Sequence, residues 1–296
     1  MSTYAEPELI RPSGKQMNAQ KPSKRTLKQL LRPWARQTLS PRTVQRIRFQ
    51  WWYLSRYVPL LATSHVFKRM PEVRGFGAAP TTSPLAKRLQ SVNLLAPTKM
   101  CRVMSKYGSD KGGHKYTPLY SALLQERGKQ ALRIFELGVG TNNPSAPSNM
   151  GAFGAPGASL RGWRELFPHA QVYGADIDRD ILFQEDRIKT FYCNQLDRSS
   201  VRAVWSHPEL QGGADIIIED GLHTFEANVC FLEESLEYLR PGGIYVTEDI
   251  ESEYIDEWYA RLETVYSKQY PQYEFAFVVL ANPGCTNLLF IRRCAD

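Results

Sequence analysis

The stretch from Ala214 to Ile250 constrains the fold of this chain more than any other. Two apolar runs, Ile216 to Ile218 and Ile244 to Val246, each lead into a pair of acids, Glu219 with Asp220 and Glu248 with Asp249. Between them, FEANVCFLEESLEYLR repeats Phe225, Val229, Leu232, Leu236 and Leu239 at three- and four-residue steps, the period of a helix buried on one face. Strand, helix, strand is a βαβ unit, and its right-handed crossover makes the two strands parallel. Both acid pairs therefore emerge at one edge of one sheet, where open α/β folds bind their ligands. His223 follows Asp220 by three residues. Clustered carboxylates beside an imidazole point to a hard divalent cation and a proton acceptor.

Upstream, ALRIFELGVG gives a buried strand through Ile134 and Phe135 that ends at Glu136. Gly138 and Gly140 then permit the tight turn and close backbone approach that a nucleotide-like ligand requires. A dinucleotide fingerprint would run straight into a helix; here the loop from Thr141 to Gly157 intervenes before the helix ASLRGWRELF. QVYGADID is the second strand, and Asp176 at its end is placed to accept hydrogen bonds from a ribose diol. A third strand, Ile188 to Cys193, leads to Asn194, Gln195 and Asp197 at the same edge, and a helix is expected from about Ser252 to Lys268. The last segment, YEFAFVVLANPGCTNLLFIRR, reads as two strands around an Asn-Pro-Gly turn. A hairpin closing an otherwise parallel sheet departs from the nicotinamide-binding pattern and resembles class I S-adenosylmethionine (SAM) methyltransferases. The expected fold is thus α/β: a Rossmann-like, seven-stranded, mostly parallel sheet with a C-terminal antiparallel hairpin, plus a basic helical N-terminal extension.

Charge divides the chain. Residues 1 to 74 carry fifteen Lys/Arg against three acids, whereas the remainder carries 22 against 27, so the net charge of +7 hides a basic arm on an acidic body. Residues 1–25 lack apolar periodicity and read as a disordered tail without a signal-type apolar core. Residues 26–98 read as a basic helical extension and linker, with Val44, Ile47, Trp51, Leu54 and Val58 on one helical face and Arg42, Arg46, Arg48 and Arg56 around it. Three uses of that segment are open: docking on the body or forming a dimer contact, lying on an anionic membrane surface, or binding nucleic acid, for which a motif is lacking. Residues 71 to 98 are expected to be a linker holding one short helix, and the catalytic body is expected at 99–296. Five cysteines with no CxxC spacing fit reduced thiols in a cytoplasmic protein, peripheral to the inner face of a membrane if the arm binds lipid.

With these residues in view, the body from about Ser105 to Arg293 resembles the metal-dependent sugar O-methyltransferases, especially those that methylate macrolide deoxysugars. GSDKGGHKYTPLY, ELGVG, GASLRGWRELFP, YGADID, IIEDGLH and YVTED carry the likeness. The resemblance implies Mg²⁺ held by Asp220, Glu248 and Asp249, with His223 as the base. It also implies a SAM site of Glu136, Gly138, Asp176 and Gln195, with Tyr116 and Thr117 near a lid. Within that lid, Asp110, Lys111 and His114 read as structural or lid residues rather than catalytic ones. The expected reaction is Mg²⁺-dependent methyl transfer to a hydroxyl of a sugar or glycosylated metabolite. Two other readings stand beside it: methylation of a small vicinal diol or catechol, and a non-catalytic SAM-type fold acting through its basic arm.

Overall fold

The structure is a computed structural model, and it describes residues 69–77, 83–152, 154–280 and 286–295. The tail expected at 1–25 and the basic helices expected from residue 26 to 68 lie outside the described residues. In chain order the elements are β1 (Glu72–Phe76), α1 (Pro84–Gln90), α2 (Lys99–Tyr107), α3 (Tyr116–Leu124), β2 (Arg133–Leu137), α4 (Ala158–Leu166), β3 (Gln171–Asp176), β4 (Gln184–Glu185), β5 (Ile188–Tyr192), α5 (Arg198–Trp205), β6 (Ala214–Glu219), α6 (Phe225–Ser235), β7 (Leu239–Ile250), α7 (Ile255–Arg261), β8 (Tyr273–Val279) and β9 (Asn287–Arg293). No helix among the described residues is long and apolar enough to cross a membrane.

One sheet runs in the order β1-β8-β9-β7-β6-β2-β3-β5-β4. β2 lies parallel to both β3 and β6, β3 to β5, and β6 to β7, while β9 runs antiparallel between β7 and β8. The chain thus winds outward from β2 in both directions, and the point where the strand order reverses, between β2 and β6, opens a crevice at the carboxyl ends of the strands. Helices cover both faces, so the central strands are apolar on both. Ile134, Ile216, Ile218 and Val246 face one layer with Leu119, Leu160 and Trp163 of the first helices. Phe135, Ile217 and Tyr245 alternate to the other, against Trp205, Phe231, Leu232 and Trp258.

The sheet has nine strands rather than the expected seven, the two additional ones being short and antiparallel. β4, of two residues, pairs with β5 at one rim. β1 pairs with β8 at the other, with Val73 opposite Val278 and Phe76 opposite Phe275. This corrects the reading of 71 to 98 as a linker. The short helix is there as α1, capped by Ser83 Oγ accepting from the Ala86 amide and opened by Pro84 at its first turn. It buries Leu85 and Leu89 in the core, however, and Gln90 ties it to β1 by accepting from the Val73 amide at 2.9 Å. EVRGF is only five residues long and interrupted by Gly75, which is why it does not read as a strand.

If this segment belongs to the folded body, Leu89→Ala should cost about 2–5 kcal/mol in urea unfolding of the full chain, the usual range for a fully buried leucine. A linker residue would cost no more than about 0.5 kcal/mol.

Candidate active site

A cavity of about 300 Å³ opens at the carboxyl ends of β2, β3, β5 and β6, lined by the segments 137–141, 176–177, 193–196 and 220–223 together with Asp249. Its floor is the turn after β2. Gly138 has φ +93°, and a Cβ there would sit 1.9 Å from the carbonyl oxygen of Asp220, so the turn and the loop after β6 can touch only through a glycine. Asp176 braces this turn from β3: its Oδ2 accepts from the amides of Val139 (2.8 Å) and Gly140 (3.2 Å), and its Oδ1 accepts from Asp178 (2.9 Å). Burial pushes the Asp176 carboxyl up while these amides pull it down. Gln195 spans the wall, donating to Glu219 at 2.6 Å and accepting from the Leu222 amide at 2.9 Å. Beside these polar groups stand two of the few large apolar side chains left open to solvent, Ile177 and Leu196, 53% and 56% exposed.

At one end of the cavity the ligand atoms of Asp220, His223 and Asp249 all lie within 4.8 Å of one another. His223 Nε2 is 3.3 Å from Asp220 Oδ1 and 3.9 Å from Asp249 Oδ2. Asp249 Oδ1 is held from the other side by His114 Nδ1 at 3.4 Å and by the hydroxyls of Tyr116 and Thr286. His223 and Asp249 have φ of +65° and +54°, and Lys115 has +69°. Left-handed backbone at a non-glycine residue costs on the order of 1–3 kcal/mol and persists where the surroundings over-determine it. Three of the four such residues among those described surround this one site.

Of the expected ligand set, Asp220 and Asp249 line the cavity. Glu248 is buried and does not line the cavity: Lys111 Nζ donates to its Oε2 and the Tyr120 hydroxyl to its Oε1. Asp249 has left-handed backbone where β7 loses register with β9, and it turns to the cavity as Glu248 turns inward. Three of the expected cofactor residues, Glu136, Tyr116 and Thr117, do not line the cavity either. Glu136 is fully buried, accepting from Trp163 Nε1 at 2.6 Å and pairing with Lys111 at 3.1 Å. Tyr116 is buried with its hydroxyl on Asp249, and Thr117 is buried against Cys101 Sγ at 2.9 Å. Gly138, Gly140, Asp176 and Gln195 do line the cavity.

The residue that sequence reading missed is Lys111, assigned to a lid. It is 1% exposed, with its ammonium against Glu136, Asp220 and Glu248. Burial disfavours that charge, but the three carboxylates hold its pKa well above the ordinary lysine value. Asp220 is kept low against its own burial by Lys111 and His223, and Asp249 is kept well below the carboxylate range, against burial, by His114 and His223. Glu248, the deepest, is pushed well up by burial in spite of Lys111. His223 would be lowered by burial, but the Asp220 hydrogen bond and the charges of Asp220 and Asp249 raise it to about 9.

No family model matches the chain. It is 34% identical over 150 residues to the 8-demethyl-8-alpha-L-rhamnosyl tetracenomycin-C 2'-O-methyltransferase of Streptomyces olivaceus, covering 50% of this chain and 37% of that protein. It is 32% identical over 194 residues to the L-olivosyl-oleandolide 3-O-methyltransferase of Streptomyces antibioticus, covering 62% and 46%. The chain therefore spans less than half the length of these curated relatives. Among solved structures it is similar to the MycE methyltransferase from the mycinamycin biosynthetic pathway in complex with Mg and SAH, with a TM-score of 0.52 and 24% identity, over 68% of this chain and 56% of that one. The same enzyme with Mg, SAH and mycinamycin VI gives 0.51 and 23%, over 73% and 61%. The fold is thus a Rossmann-like α/β methyltransferase fold with a mixed sheet.

The geometry around His223 sets a pH dependence in protein freed of divalent cations. Its folded pKa of about 9 lies above the ordinary 6.5, so the charge pair stabilises the fold fully below pH 6.5 and is lost as pH rises through 9. The imidazole should titrate near 9 by NMR, and His223→Gln should flatten the decline in unfolding free energy between pH 6.5 and 9. A native imidazole titrating at 6.5 or below would contradict this geometry.

Proposed function

We propose that the chain is a divalent-cation-dependent SAM O-methyltransferase that acts on a hydroxyl of a sugar carried by a natural product of the macrolide or polyketide type. One observation carries the reading: a carboxylate and imidazole cluster, Asp220, His223 and Asp249, stands at one end of a cavity whose floor is the Gly138–Gly140 turn. The relatives whose sequences match are named as sugar O-methyltransferases, and the solved relative of the same fold was bound to Mg and SAH.

Two oxygen donors and a nearby imidazole on a hard, anionic wall fit Mg²⁺. Asp220 and Asp249 would hold the ion, which when bound supplies charge that stabilises a developing alkoxide; the cofactor supplies the electrophilic methyl group. The remaining work belongs to the chain. The Gly138 to Gly140 backbone lets the cofactor approach the sheet edge, with Asp176 keeping that turn in place. Ile177 and Leu196 offer apolar surface for a flat ring, and Gln195 shapes the wall between them and Asp220. His223 accepts the proton of the acceptor hydroxyl at Nε2, the ring atom that already faces Asp220 and Asp249. A base must be neutral first, and carboxylates shared with a cation exert less pull on its proton. The catalytic domain, expected to begin at residue 99, is assigned here from Glu72 onward, because β1 and α1 are part of its sheet and core.

Incubation with EDTA should abolish methyl transfer to a panel of deoxysugar glycosides, and Mg²⁺ should restore it; unchanged turnover in chelator would sink the cation mechanism. Asp220→Asn and Asp249→Asn should lose Mn²⁺ binding together with activity. His223→Ala should lower kcat by about 10²–10⁴, the range for a lost general base, with Mn²⁺ affinity retained. Loss of both in His223→Ala would make the imidazole a ligand instead.

A further inference from the structure

The turn between α2 and α3 has no role in the reaction as described so far, yet its residues Ser109, Asp110 and Lys111 line the cavity beside the carboxylates. Gly108 leaves α2 in a left-handed conformation, the amides of Gly113 and His114 close onto the Asp110 carbonyl at 2.7 and 3.1 Å, and Tyr116 N bonds the Lys111 carbonyl at 3.0 Å. The backbone of Lys111 is fixed by these bonds, and its side chain passes inward to Glu136 on β2, Asp220 after β6 and Glu248 on β7. Its effect on Asp220 is specific. Lys111 takes Oδ2 at 2.7 Å, which leaves Oδ1 as the oxygen beside His223.

We propose that Lys111 is a positioning residue of the cation site: its buried ammonium fixes the Asp220 carboxylate with one oxygen toward the cavity and draws Glu248 away from it. The inference rests on the reading of Asp220 and Asp249 as cation ligands. Charge alone argues the opposite outcome, which makes the sign informative. An ammonium beside a dication repels it, so on Coulomb grounds removal of Lys111 should tighten binding. As a support behind a ligand, its removal should loosen binding, by about 10–100-fold for groups of this kind.

The test is Mn²⁺ titration of the full chain, followed by electron paramagnetic resonance of the free ion. Lys111→Met should weaken Mn²⁺ affinity about 10-fold or more, and the concentration of Mn²⁺ giving half-maximal methyl transfer should rise by a similar factor, with kcat largely recovered at saturation. Glu136→Gln loosens Lys111 without touching Asp220 or Asp249 and should weaken affinity by less than Lys111→Met does; it decides the matter alone if Lys111→Met does not fold. Affinity equal to or tighter than wild type in the folded variants overturns the proposal while leaving the cation reading intact. If the wild-type chain binds no Mn²⁺, the cation reading falls and the role of Lys111 falls with it.

Discussion

A single ammonium surrounded by three carboxylates, with a fourth close by, is the interaction on which the rest of this site depends. Sheet register brings the acids together. Glu219 is level with Thr247 across β6 and β7, so Asp220 and Glu248, one residue further on, emerge side by side, and Glu136 on β2 lies level with Ile218. Like charges this close in a medium of low dielectric cannot all remain ionised without a counter-charge. Lys111 supplies one from outside the sheet. Of the carboxylates it serves, two are closed off from the cavity and one is left facing it.

This division explains why the outer part of the site is built under strain. Asp249 comes after a residue that must point inward, and β7 loses register with β9 between Thr247 and Ile250. Its left-handed backbone is the means by which two consecutive acids serve two environments. His223 takes the same conformation three residues past Asp220, where a short connection to α6 must turn back toward the strand it has just left. Asp and His are among the non-glycine residues that adopt such a backbone most readily, so each position keeps a functional side chain where the chain must turn.

Much of this was legible in the sequence because it followed from periodicity. The alternation of Ile134, Phe135, Ile216 and Ile217, the helical spacing from Phe225 to Leu236, and glycines after a buried strand all fix elements and the edge where they meet. What periodicity could not supply was the direction of individual side chains at that edge. Glu136 and Glu248 look like site residues in a linear reading, and both face inward, while Lys111 looks like a surface lysine in a polar turn and is among the most buried residues of the chain. Tyr120, one helical turn after Tyr116, gave a usable signal: a tyrosine on a buried face needs a partner for its hydroxyl, and that partner is Glu248. Short strands at the rims were missed for a related reason, since five and two residues are too few for a period to show.

Those rims have a further consequence. A sheet open at both sides offers rows of unpaired amides and carbonyls on which any extended peptide can grow, and long, regular outermost strands make that growth easy. Among the described residues, one side terminates in two residues and the other in a five-residue piece broken by Gly75 and preceded by Pro71. Both are poor templates. The two rim fragments thus limit growth through the backbone without lining the cavity.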